Sequence, residues 1–157
     1  MKKLFVLSMC AAAALAVLPA RAADDVPWFD MEKCGMCSAL LEPEGMLQHM
    51  TWDHYPFATG MITVTTIEPD YADAYATACK KMEDTGAKLA QGEQMYLCGH
   101  CTSYGMLMMS GAKLESFETE AGEVTTMSST DPDVIAKIHA HLEKTQEAME
   151  AAEGSEG

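Results

Sequence analysis

Residues 31–37 read Met31-Glu32-Lys33-Cys34-Gly35-Met36-Cys37, and residues 95–101 read Met95-Tyr96-Leu97-Cys98-Gly99-His100-Cys101. Both are Met-x-x-Cys-Gly-x-Cys, offset by 64. The likeness continues downstream. Gly60-Met61-Ile62-Thr63-Val64 is matched by Gly122-Glu123-Val124-Thr125-Thr126 at an offset of 62, and Pro69-Asp70 by Pro132-Asp133 at 63. An offset that drifts by one or two is what a duplicated unit with small insertions leaves behind. The chain therefore reads as two pseudo-repeated units, 23–90 and 91–150, each built around a CxxC.

Working outward from the first CxxC, residues 38–50 read as a helix weakened by Pro43 and Gly45. Segments 51–57 and 61–67 are rich in aromatic and β-branched residues, which suit a pleated, half-buried surface. Ala58-Thr59-Gly60 between them is a turn signal, so the pair predicts a hairpin. A helix is expected over 70–85 with Gly86 as its stop. Its inner face is Tyr71, Ala74, Tyr75, Ala78, Cys79 and Met82, at helical spacing, and Cys79 reads as a buried apolar residue. A short strand is expected at 87–90. The second unit repeats the plan: strand 94–97, helix 98–110, and a hairpin of 113–119 and 123–128 around Ala121-Gly122. A last helix, 132–150, has Asp131 as its cap and Pro132 at its first position. Its inner face is Val134, Ile135, Ile138 and Leu142. Residues 151–157 read as a disordered acidic tail. The fold class expected is α+β, with helices on one face of an antiparallel sheet. About 60 residues is marginal for a domain alone, so the halves should pack together, one continuous sheet being one way to do so.

With these elements in place, the chain resembles a tandem of heavy-metal-associated domains. Those are ferredoxin-like βαββαβ modules with a CxxC between the first strand and the first helix. The resemblance is carried by Cys34-Gly35-Met36-Cys37, by Ala58-Thr59-Gly60-Met61-Ile62-Thr63-Val64, and by Glu83-Asp84-Thr85-Gly86-Ala87-Lys88-Leu89. It implies two ferredoxin-like units that carry Cu(I) or another soft metal.

The start of the chain predicts export. Lys2 and Lys3 precede an apolar run over 4–18, broken only by Ser8, and Pro19-Ala20-Arg21-Ala22 follows. That is the layout of a signal peptide, 1–22, cleaved after Ala22. The run is shorter than the about 20 residues a spanning helix needs, so no membrane anchor is expected after cleavage. The expected location is periplasmic or secreted. The leader takes Lys2, Lys3 and Arg21 with it, leaving 24 acidic against 7 basic residues, a net charge near −17. Such a surface repels nucleic acid and anionic lipid and attracts cations and basic partners.

Five cysteines follow the leader: Cys34, Cys37, Cys79, Cys98 and Cys101, with 12 of the 14 methionines. Soft sulfur ligands favour Cu(I). Two thiolates at CxxC spacing at a helix start, where thiol pKa is lowered, suit one such ion. Met31, Met36, Met95 and His100 are candidate further ligands. So are His49, Met50 and His54 in the stretch Met46-Leu47-Gln48-His49-Met50-Thr51-Trp52-Asp53-His54, with Trp52 able to shield a cation. Taken alone, His49 and His54 read as polar surface residues; they become ligands only where the fold brings them to Cys34 and Cys37. His139 and His141 read as surface, since positions i and i+2 do not share a helix face.

Other chemistry stays open. Cys98-Gly99-His100-Cys101 after a strand and opening a helix also suits a thiol–disulfide redox protein, because a central His favours the thiolate. Disulfides linking the units would make a structural, stapled interaction module. One zinc ion shared by all four CxxC thiolates is a further arrangement, although the spacer exceeds that of a zinc ribbon. The partners implied are a metal ion and a metal-donor or redox partner protein. No Ser-His-Asp order, phosphate loop or HExxH motif is present, so nothing points to a hydrolase.

Overall fold

Both expected hairpins form, and together they make the sheet. In the computed structural model, which describes residues 26–42 and 44–154, β1 (Met50–Phe57) pairs with β2 (Gly60–Ile67). Likewise β3 (Lys113–Thr119) pairs with β4 (Gly122–Ser128). The two hairpins join through β2 and β4 in one antiparallel sheet of order β1-β2-β4-β3. The expected leader over 1–22 and residues 155–157 of the expected tail lie outside the described residues.

The central ladder carries the repeat in its register. Gly60 faces Ser128, Thr63 faces Thr125 and Thr66 faces Gly122, so exchanging each residue for the one 62 further on maps the ladder onto itself. The two glycines make this close approach possible. A Cβ on Gly60 would lie 1.9 Å from the Met127 carbonyl oxygen, and one on Gly122, at φ +144°, would lie 2.2 Å from that of Thr65. Pro56 sits in β1, an edge strand, where its missing N–H breaks no ladder. The other edge, β3, is exposed throughout and carries Lys113, Glu115 and Glu118, charges that discourage edge-to-edge pairing.

The helices cover one face. Met61 and Met127 pair across β2 and β4 and pack with Leu107, Val134, Ile138 and Leu142. These come from α2 (Gly99–Met109) and α3 (Pro132–Glu153). Thr65 and Glu123 lie on the same sheet face by their even spacing from that pair. Tyr75 of α1 (Ala72–Ala90) donates to the Glu123 carboxylate, which puts α1 on that face too. Beneath α1, Ala39, Met46 and Ala78 are buried with Tyr71, Ala74, Tyr75 and Met82 against them.

Several expectations are corrected. Residues 38–50 form two 3-10 turns, Cys37–Leu40 and Met46–His49, because Gly45 at φ +80° breaks the helix between them. Helix α1 runs through Gly86 to Ala90. The residues after Gly86 are Ala, Lys, Leu and Ala, all good helix formers that outweigh the roughly 1 kcal/mol cost of one Gly, so no strand forms at 87–90. Residues 94–97 join no strand ladder, and each half contributes a hairpin to the sheet. Residues 151–153, expected in the tail, continue α3. Cys79 is half-buried; Ala78 takes the buried position on α1.

Candidate metal centre

The fold brings the two CxxC motifs together. The four sulfurs of Cys34, Cys37, Cys98 and Cys101 all lie within 4.8 Å of one another. Cys37 Sγ is 3.3 Å from Cys101 Sγ and 3.8 Å from Cys98 Sγ, and all four cysteines carry free thiols. Around an ion with metal–sulfur bonds of about 2.3 Å, tetrahedral sulfurs stand roughly 3.8 Å apart. The cluster is therefore already sized for a single ion. Cys34 and Cys98 are fully buried, and Met31, Met36 and Leu97 pack around the group.

Backbone contacts between the halves hold this arrangement. Gly35 N–H donates to the Tyr96 carbonyl across the halves, while Cys34 N–H closes a local turn on the Asp30 carbonyl. The N-terminal segment reaches across: Gly99 and His100 N–H donate to the carbonyls of Pro27 and Trp28. Each CxxC glycine sits at a close approach. A Cβ on Gly35 would meet Met95 Sδ at 2.7 Å, and one on Gly99 would meet Trp28 at 3.0 Å. The first contact sets the Met95 thioether beside the first CxxC.

The thiols differ in character. Cys37 is held below the usual thiol range, chiefly because the Cys101 thiol hydrogen-bonds to it. Cys101 is pushed up by that same bond. Cys98 is raised by burial. This departs from the expectation of a lowered pKa at the start of α2, where the first two helix N–H groups are spent on Pro27 and Trp28.

The histidines do not join the sulfurs. Among the described residues, the ligand atoms that converge are the four sulfurs alone. His49 bonds the Glu68 carboxylate and stacks on Tyr71 at 4.2 Å, and Met50 opens β1 opposite Ile67. His100 is buried in an aromatic box of Trp28, Phe29, Trp52 and Tyr104. Desolvation there pushes its imidazole down to about 3, so it offers Cys98 no positive charge. His54 is buried beside Trp52, and burial lowers it to about 4. His141, expected at the surface, is buried against His100, with ring centroids 4.7 Å apart. Positions i and i+2 point apart, yet one of them can still be buried: His141 lies next to Leu142, and both are covered. His139 bonds the carbonyls of Phe57 and Gly60 at the hairpin end.

Compared with family models, curated proteins and solved structures, the chain matches none.

Proposed function

We propose that the protein is an exported soft-metal carrier that holds one ion among Cys34, Cys37, Cys98 and Cys101. It would act in metal transfer, storage or resistance, in the manner of the heavy-metal-associated domains it resembles. One observation carries the reading: four sulfurs from two distant CxxC motifs converge at the spacing of a single coordination sphere. Cu(I) is the ion preferred, because the thioethers of Met31 and Met36 pack against the cluster and that of Met95 against Gly35, and mixed thiolate and thioether surroundings suit it. Zn²⁺ is the second reading, favoured by the 3.8 Å separation of Cys37 and Cys98 sulfurs. It would clamp the two halves as a closed four-thiolate site.

The thiol–disulfide alternative at Cys98 and Cys101 draws less support. An exchanging pair needs an accessible, low-pKa first thiol, whereas Cys98 is fully buried and its pKa is raised.

Elemental analysis of protein purified from its own periplasm tests the reading, with a free-thiol count in denaturant and chelator without reductant. One soft ion per chain and five free thiols after stripping are expected. Metal-free protein with a single free thiol, assignable to Cys79, would overturn it in favour of disulfides. The same sample tests export, since its N-terminus is expected at Ala23.

A further inference from the structure

Three buried histidines are linked by ring contacts, His100 directly to His141 and His54 to His100 by way of Trp52, and the sulfur site uses none of them. His54 comes from β1, His100 from the first turn of α2 and His141 from α3. They are 8%, 8% and 3% exposed. His54 Nδ1 is hydrogen-bonded to Thr63 Oγ1 at 3.0 Å and His141 Nδ1 to Ser103 Oγ at 2.9 Å. In both rings this leaves Nε2 buried without a hydrogen-bond partner. An orphaned buried polar atom is costly to leave unpaired, so the two Nε2 atoms point to something that satisfies both.

We infer that His54, His100 and His141 form a second, nitrogen-only metal site, for a borderline divalent ion such as Zn²⁺ or Cu²⁺. Where the hydroxyls of Thr63 and Ser103 accept from Nδ1–H, each ring keeps a bare Nε2 lone pair. That is the ligating tautomer, the one that hydrogen-bond partners behind a metal-bound imidazole usually hold. Metal–nitrogen bonds of about 2.0–2.1 Å place ring centroids roughly 5 Å apart around a tetrahedral ion. The His100–His141 separation of 4.7 Å already fits. His54 is the ring that must adjust, since only the cysteine group has all its ligand atoms within 4.8 Å. Trp52, in contact with both His54 and His100 at centroid distances of 4.4 and 5.2 Å, and Trp28, against His141 at 5.4 Å, wall the site. Imidazole nitrogen suits Zn²⁺ and Cu²⁺ where the sulfur cluster suits a softer ion, so the two sites sort ions by hardness within one molecule.

The test uses the full chain under anaerobic conditions with Co²⁺ and Zn²⁺ as probes. Co²⁺ filling the cysteines produces a sulfur-to-cobalt charge-transfer band; Co²⁺ filling the histidines does not. Two equivalents are expected, only one of them with the band. In Zn²⁺-titrated protein, NMR ring signals of His54, His100 and His141 should shift, and those of His49 and His139 should not. His141→Gln should weaken the second site by roughly 100-fold or more, and Ser103→Ala by about 10–100-fold, the range for second-shell loss. Neither should change the sulfur band. Ring signals that stay still once the cysteines are saturated, or that move at His49 and His139 instead, overturn the inference. A ring response without any sulfur band would remove the cysteine reading and leave this one standing.

Discussion

Replacing Cys34 and Cys37 together by Ser should abolish tight soft-metal binding at the whole sulfur cluster, not at half of it. Two independent clamps would lose one of two ions and keep the other at Cys98 and Cys101 with unchanged affinity. Four sulfurs within 4.8 Å leave room for one ion at about 2.3 Å from each, so the pairs stand or fall together. Losing two of four thiolates should weaken binding by well over tenfold, which is about 1.4 kcal/mol for each factor of ten. Metal-linked stabilisation follows. With free ion at 1,000 times Kd, it is about 4.1 kcal/mol, and a tenfold loss of affinity reduces it to about 2.7 kcal/mol. For a domain of this size that step alone lowers the Tm of the metal-loaded protein by roughly 4 °C. Cys98→Ser with Cys101→Ser should behave alike. Cys79→Ser, a half-buried position outside the cluster, should change neither quantity. The assay is anaerobic titration against a competing chelator, with thermal melts of each variant with and without metal. A variant lacking Cys34 and Cys37 that still binds one ion through the sulfurs of Cys98 and Cys101 as tightly as the parent would refute the shared site.

Other outcomes follow from the packing. Ile138→Ala empties a fully buried position among Met61, Leu107, Met127 and Leu142; urea denaturation should show a loss of about 2–5 kcal/mol, and a loss below 1 kcal/mol would contradict the placement. Gly60→Ala drives a Cβ into the Met127 carbonyl, so the β2–β4 ladder should open, and circular dichroism with hydrogen exchange should report lost protection in both hairpins. Trp28→Ala removes a ring that rests against His141, donates to Thr145 and lies under the Lys144 ammonium. Because Trp28 is only half-buried, a loss of roughly 1–3 kcal/mol is expected by chemical denaturation, together with faster alkylation of Cys98 in the metal-free protein.

Local sequence was enough to specify the hairpins and the last helix. Alternating β-branched residues and the two turn glycines define strands whatever lies above them, and Asp131-Pro132 starts a helix through a cap that needs only its own backbone. The candidate cysteines were legible from spacing alone. What tertiary structure decided is everything that depends on one half meeting the other. Strands are expected at both 87–90 and 94–97, but the first continues α1 and the second joins no ladder, the Tyr96 carbonyl accepting from Gly35 N–H instead. The chain separation of 64 residues between the CxxC motifs says nothing about distance. The two-fold ladder about Thr63 and Thr125 sets the halves side by side, and the Gly35–Tyr96 and Gly99–Pro27 hydrogen bonds then lock the motifs face to face. The buried histidines were least visible. A histidine's environment is set by what packs over it, and His54, His100 and His141 are buried only because α2 and α3 close over the sheet that carries β1.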